Sequence, residues 1–526
     1  MIASLLLLAC QGPTAQALFD EHLASLRTAQ APDGSYGDSV SSTAHVLIAM
    51  TLCPRSYRAE DGPFIRNAAA FLARNSEEAK GNPRMAPLLA LALRETGVES
   101  WTKLSRDLAG TPPLSHGDLA RAAGLNPSDS SAVTILSRLS REDSIQKRAR
   151  EAARAAVAWR TQLSPPSKIG DLTEVLTAAE DFLLAAQSKS GLWEVPPFGP
   201  EPGITALAAK ALLGSSRAEV RAQAIPALDF LVGLQNSDGS IHGGRLPVYV
   251  TSAAVGALAT GGREQDAQAL ANAASFLSGT QLDEGEGYSE ADKFYGGIGY
   301  GNDLRPDLSN LQYALQALDE SGAKKSDPAF SRALVFLQRC QNRSESNPET
   351  FQDRDNPAPV QAGNDGGGVY YPGNSPAGWK NRVDGTRVPR SYGSMSYALL
   401  KCYVLAGLSK EDPRVEAVVD WVSNHWTLEV NPGFDTLRDP RAGFQGLYYY
   451  YLTLAEALST AKLTTLNTPN GVEHDWRAEL GAQLVSMQQE DGSWVNNDAP
   501  RWWEGNPILC TAYAVSALRI VESSTP

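Results

Sequence analysis

QSKSGLW (187–193), QNSDGSI (235–241) and QQEDGSW (488–494) repeat one element: a Gln ending an amphipathic stretch, three residues, a Gly, one residue, then an apolar or aromatic side chain. A fourth copy, QAPDGSY, occupies 30–36. A weaker copy starts at Gln281 with Gly285 in the glycine position, and Gln341 stands at the matching place after a helical stretch without a Gly four residues on. Gln187, Gln235 and Gln281 are 48 and 46 residues apart. A period of this size is that of a helix pair, which buries its apolar face only by stacking on its neighbours.

The two helices of a unit read differently. The first is amphipathic, with Ile225, Leu228 and Val232 on one face in one copy and Leu480, Leu484 and Met487 in another. The second carries almost no charge: Tyr249 to Thr260 and Ile508 to Leu518 have none, and Ser394 to Leu408 has only Lys401. A helix apolar all round has to be buried. Half-exposed helices alternating with buried ones, joined by Asp-Gly turns, predict two concentric layers, because an open solenoid would leave both faces wet. Second helices start near 204, 249, 308, 394, 445 and 508. These six pairs, from about 173 to 522, predict an all-α protein built on a closed α6/α6 barrel, the α/α toroid. Residues 16–165 hold further helical pairs, including Leu23 to Gln30 with Thr43 to Leu52 and an Arg/Ala-rich helix near 145–160. They predict an additional N-terminal helical-repeat region, part of a second toroid, behind a tail at 1–15.

Composition narrows the function. With 59 acidic against 46 basic residues, a net charge of -13 and no Lys/Arg-rich run, the chain lacks the footprint that nucleic-acid phosphates require. Cys53, Cys340, Cys402 and Cys510 are scattered, with no C-x-x-C pair and no His at ligand spacing, so neither a metal nor another cofactor is expected. The longest apolar run, Leu5 to Ala9, ends at Cys10, and Leu7-Leu8-Ala9-Cys10 resembles the lipobox of a bacterial lipoprotein; Met1 to Ser4 carry no basic residue. Lipidation of Cys10 would tether the protein to the membrane on the periplasmic side of a bacterial envelope; without it, a cytoplasmic or peripheral location is expected. Nothing in the sequence decides the oligomeric state.

The Gln-x-x-x-Gly-x-Trp element resembles the repeat of squalene-hopene and oxidosqualene cyclases and, more distantly, of protein prenyltransferase β subunits: the prenyltransferase and squalene oxidase repeat family. A sharper match is GGIGY (296–300), followed by RPDLSN (305–310) and the helix Leu311 to Leu318. In the cyclases this context carries a D-x-D-D acid motif. Here the four positions are Asp307, Leu308, Ser309 and Asn310, and the proton donor's place falls on Ser309. Protonating an unactivated alkene needs a preorganised carboxylic acid, so the resemblance implies a central cavity for an isoprenoid-type hydrophobic ligand without standard cyclisation.

By the same resemblance the starts of the buried helices face that cavity, and their N-termini offer partly positive amides to a polar head group. The candidates there are Tyr300, Asp307 and Asn310 on the third pair, Tyr392 and Tyr397 on the fourth, Tyr448 and Tyr449 on the fifth, and Trp502 and Trp503 on the sixth. Aromatic faces stabilise cations by on the order of 2 kcal/mol when desolvated; they also simply fill wide cores. The long Gly-, Asn- and Pro-rich insertion at 341–393 is expected to act as a lid. Two alternatives remain: a non-catalytic scaffold tethered through Cys10, and a terpenoid cyclase or isomerase with Asp307 or Asp365 as proton donor.

Overall fold

The computed structural model describes residues 15–109, 119–120, 122–125, 132–140, 142–162, 171–195, 199–301, 305–353, 356–436, 438–439, 441–468 and 473–523. Cys10 and the lipobox-like stretch before it lie outside the described residues. The chain divides into two compact units, Met1–Pro165 and Pro166–Pro526.

In the second unit, six helices form the inner layer: Pro202–Leu213, Pro247–Gly261, Leu308–Glu320, Gly393–Leu405, Leu447–Thr460 and Pro507–Ser523. Each packs against the next, and the sixth packs against the first, so the ring closes. Thr173–Ala185, Ile225–Gly233, Ala267–Ser278, Pro328–Arg339, Pro413–Asn424 and Trp476–Met487 form the outer layer. This is the α6/α6 toroid expected from the alternation of apolar and amphipathic helices. The starts are set locally: Pro occupies the first turn at Pro202, Pro247, Pro328, Pro413 and Pro507, where its missing N–H costs nothing. Asp307, Asp327, Asp412 and Asp475 cap their helices with side-chain oxygens.

The repeated element is a staple between outer helices. The Gln235 amide donates to the carbonyls of Gly239 (3.1 Å) and of Ala269 in the next outer helix (2.8 Å). Gln187 donates to Gly191 (2.7 Å) and to Gln223 (2.8 Å), the last residue of the short helix just before the second outer helix. Two junctions depart from the expected spacing. Gln281 donates to Gly296 and Ala329 (both 2.9 Å), so Gly296, and not Gly285, fills the glycine role. Gln341, which shows no Gly at the repeat spacing, donates to Gly366 (2.9 Å) and Arg414 (2.8 Å) across an insertion. After Pro413–Asn424 no Gln is present; there Trp426 Nε1 donates to Glu479 of the sixth outer helix (3.0 Å). The element's aromatic residues lock the layers together: the Trp193 and Trp494 indoles are fully buried and donate to Leu183 and Leu484 carbonyls (both 2.9 Å).

Ring closure rests on Gln488, whose amide donates to Val175 of the first outer helix (2.9 Å) and to Gly492 (3.0 Å). Gln488→Leu leaves both carbonyls without this donor and should lower the toroid's unfolding free energy by about 1–3 kcal/mol, read from urea unfolding.

The insertion carries a four-stranded sheet. Thr350–Asp353 pairs antiparallel with Asn356–Gln361, Trp379–Asn381 pairs antiparallel with Arg387–Pro389, and the two hairpins join through a parallel pairing. Between the hairpins, the Tyr370 carbonyl accepts from Leu308 N–H (2.8 Å) and caps the third inner helix.

The first unit is helical as well. Val40–Leu52, buried along almost its whole length, packs against Pro63–Arg74, Met85–Arg94 and Ile145–Gln162. Gln30 makes the same staple here, donating to Gly34 (3.2 Å) and Phe64 (2.9 Å).

Candidate functional site

Side chains from non-adjacent inner helices can touch only across the toroid axis, so such contacts reveal what fills it. Near the N-terminal ends of the inner helices, tyrosines meet. The Tyr249 and Tyr313 rings lie 4.5 Å apart, Tyr313 and Tyr449 stack at 6.1 Å, and Tyr449 and Tyr513 lie at 6.3 Å. They come from the second, third, fifth and sixth inner helices. Burial pushes the phenols of Tyr249, Tyr313 and Tyr513 above their usual range.

Above this layer sits the region that resembles the cyclase acid motif. Ser309, in the proton donor's place, is half-buried with its hydroxyl 3.0 Å from the Tyr449 hydroxyl, which also accepts from the Gln312 amide (3.2 Å). Asp307 is fully buried and caps the third inner helix, accepting from Asn310 N–H (2.8 Å) and from the Asn310 side-chain amide (2.9 Å). Burial raises its carboxyl to about 6, against the lowering pull of the Asn310 and Tyr370 hydrogen bonds and of Arg305. Tyr300 and Tyr370, both half-buried, pair through their hydroxyls at 3.0 Å. Two buried amide oxygens, Asn310 Oδ1 and Gln312 Oε1, lack a hydrogen-bond partner.

Below the tyrosines the axis is charged. Lys401 Nζ donates to Glu456 (2.6 Å) and Gln316 (2.7 Å), the Gln316 amide reaches Glu456 (3.1 Å) and Glu320 (3.0 Å), and Lys210 pairs with Glu320 (2.8 Å). Burial raises the Glu456 carboxyl, but Lys401 and Lys210 outweigh it and hold the net value below the ordinary range. The axial space here, lined by Lys210, Ser252, Gln316, Glu320 and Glu456 among others, is about 30 Å³ as measured to the centre of a water molecule. That admits roughly two waters and no hydrocarbon.

Other candidates lie elsewhere. Tyr397 is buried against Tyr450 (5.7 Å) and Tyr448 against Tyr451 (5.9 Å); the Tyr450 hydroxyl donates to Thr427 (2.7 Å) and the Tyr451 hydroxyl to Leu428 (2.5 Å) beyond the fifth outer helix. Both belong to the interlayer core, which corrects their placement in the cavity. Tyr392 is buried against Phe434 (5.1 Å). Trp502 and Trp503 are exposed on a left-handed turn (φ 55° and 69°), with Arg501 over the Trp502 ring at 4.7 Å. Asp365 is corrected as a proton donor: it is exposed, accepts from Ser391 Oγ (2.7 Å) and Gly367 N–H (3.1 Å), and precedes the glycine that packs on the fifth outer helix.

The sequence reading passed over Glu504, which is 1% exposed. It accepts from Tyr449 N–H at the start of the fifth inner helix (2.8 Å) and from Asn496 Nδ2 (2.7 Å). Burial raises its carboxyl from 4.5 to about 7, despite these hydrogen bonds. Between those values the folded protein holds a proton that the unfolded chain releases, so stability should fall as pH rises from about 4.5 to about 7, by about 3 kcal/mol, and level off above. Asp307 adds a fall of the same sign between 3.8 and about 6. Thermal melts across pH 4 to 8 should show this slope in the native protein and a shallower one in Glu504→Gln.

Among the described residues no three His, Cys, Asp or Glu side chains gather as a metal-ligand set, and no helix is long and apolar enough to cross a membrane.

No protein-family model matches the sequence, and no curated protein matches it. Solved structures do. The type II terpene cyclase MstE from Scytonema aligns with a TM-score of 0.40 at 16% identity, over 67% of this chain and 98% of that one. A protein from Actinoplanes aligns at 0.39 and 14% identity, over 67% and 100%. The ent-copalyl diphosphate synthase from Streptomyces platensis aligns at 0.22 and 15% identity, over 60% and 84%. The chain's own helix order and packing make it an all-α protein built on an α6/α6 toroid.

Proposed function

We propose that the toroid binds an isoprenoid-type hydrophobic ligand at the N-terminal mouth of its inner ring and does not cyclise it. The observation that carries the reading is the set of half-buried tyrosines at that mouth: Tyr449 against Ser309, Tyr249 against Tyr313, and Tyr300 paired with Tyr370 near Asp307. Aromatic faces suit apolar chains with π-bonds, and a hydroxyl in the acid's place cannot protonate an alkene. Asp307 supports a second reading as proton donor, because its carboxyl is raised to about 6. Against it, both carboxylate oxygens already accept from Asn310, bonds that favour the ionised form.

The test incubates the full-length protein with geraniol, farnesol, geranylgeraniol and squalene, followed by mass spectrometry of retained species and gas chromatography of products. Retention of at least one prenyl compound unchanged is expected. Cyclised or isomerised product lost in Asp307→Asn would establish the second reading, and no retention of any would overturn the first.

A further inference from the structure

The axis is blocked in two successive layers, and this bears on ligand size. Tyr313 and Tyr513 form the floor of the mouth, 8% and 5% exposed, whereas Tyr249 and Tyr449 on the wall above remain half-exposed. Beneath lies the Lys401–Glu456–Gln316–Glu320–Lys210 chain, in which Gln316–Glu456 and Lys210–Glu320 join non-adjacent inner helices across the ring. An apolar chain extending past the tyrosines would have to strip these charges of their partners, which is far costlier than leaving part of the chain in water.

The depth above the floor follows from helix geometry. Asp307, the buried N-cap at the start of the third inner helix, and Tyr313, at the floor, are six residues apart, or about 9 Å at the usual rise of about 1.5 Å per residue. Helical side chains lean toward the N-terminus, so the rings rise toward the rim and shorten the space further. At about 1.2 Å of advance per bond in an extended chain, about 9 Å spans roughly two isoprene units of four chain bonds each.

We infer that Tyr313 and Tyr513, backed by the charged chain, set a length ceiling: the mouth takes no more than two isoprene units of its ligand. Longer chains leave the remainder outside and gain nothing from it. This rests on the reading of the mouth as a prenyl site, and the experiment separates the two.

Affinities of the full-length protein for dimethylallyl alcohol, geraniol, farnesol and geranylgeraniol, measured by isothermal titration calorimetry, should rise by about tenfold or more from the first to geraniol and then stay level. In Tyr313→Ala and in Tyr513→Ala, which remove the floor, farnesol should bind more tightly than geraniol. Affinity that keeps climbing through geranylgeraniol in the native protein would overturn the ceiling while leaving the prenyl site standing. Absence of binding by all four would overturn the site itself. Because the native series needs no variant, the inference stays falsifiable if either substitution prevents folding; floor variants that fold and keep the native plateau would also overturn it.

Discussion

Gly296→Ala should unfold the toroid at far lower denaturant than the native protein, with a loss of about 4 kcal/mol or more, while Gly285→Ala should stay within about 1 kcal/mol of native. Gly296 has φ 78°, and a methyl group there would lie 2.0 Å from the Arg332 carbonyl oxygen of the next outer helix. Two costs therefore add: left-handed backbone, about 1–2 kcal/mol for a residue with a Cβ, and a backbone clash relieved only by parting two outer helices. The same packing recurs at Gly239, Gly366 and Gly492, where the nearest carbonyl oxygen would be 2.2 to 2.3 Å away. Gly285 sits in an exposed turn, has no positive φ, and its added methyl would meet only the Asp283 side chain, at 3.1 Å. Urea unfolding of the two variants side by side decides which glycine belongs to the repeat. Equal costs would show that Gly296 is not the packing glycine.

Lys401→Met should cost about 3–5 kcal/mol, whereas Lys401→Met combined with Glu456→Met should be close to native or more stable. The Lys401 and Glu456 side chains are 2% and 13% exposed, so removing the lysine leaves a carboxylate in a desolvated place. Lys210 remains nearby and lessens the penalty without abolishing it. In the native protein the Glu456 carboxyl is held low, so this group contributes stability that is lost as pH falls through its folded pKa. In Lys401→Met the sign should reverse: with burial unopposed by its main partner the carboxyl rises, and the variant should recover stability toward acid pH. A double-mutant cycle from unfolding curves measures the coupling. A cycle that closes to zero would mean that the pair is solvated and does not plug the axis.

The repeat was legible because a period-setting constraint recurs in it: a Gln must staple successive outer helices, and a Gly must let them approach. Gln187, Gln235 and Gln488 showed it at once, since only three residues separate each from its Gly. At Gln281 and Gln341 the turn is interrupted by insertions, and the partner glycine is defined by which backbone meets the next helix rather than by spacing. Local sequence contains no measure of that distance.

The site was legible in part. The match at 305–310 led to Asp307, Ser309 and Asn310, and the mouth does gather them with Tyr300 and Tyr449. Tyr313, Tyr370, Tyr513 and Glu504 went unread, because an aromatic or a carboxylate in a buried segment gives no sign of the direction in which it points. Tyr448 and Tyr449 are neighbours in the chain, yet about 100° of helical rotation sends one into the interlayer core and the other to the axis. Lys401 did stand out as a lone charge in an apolar helix, and its partner, Glu456, is likewise a lone charge in the fifth inner helix.

The sequence by itself determined the helix pairs, their number and their assignment to inner and outer layers, because burial of a helix all round is written in the composition of its own residues. Only the tertiary structure decided what fills the ring. Six inner helices bring side chains together that are more than a hundred residues apart, such as Gln316 with Glu456 and Lys210 with Glu320. Whether the axis is an apolar tunnel or a stack of tyrosines over a charged plug depends on the rotation of each helix about its own axis, which is set by packing and not by local pattern.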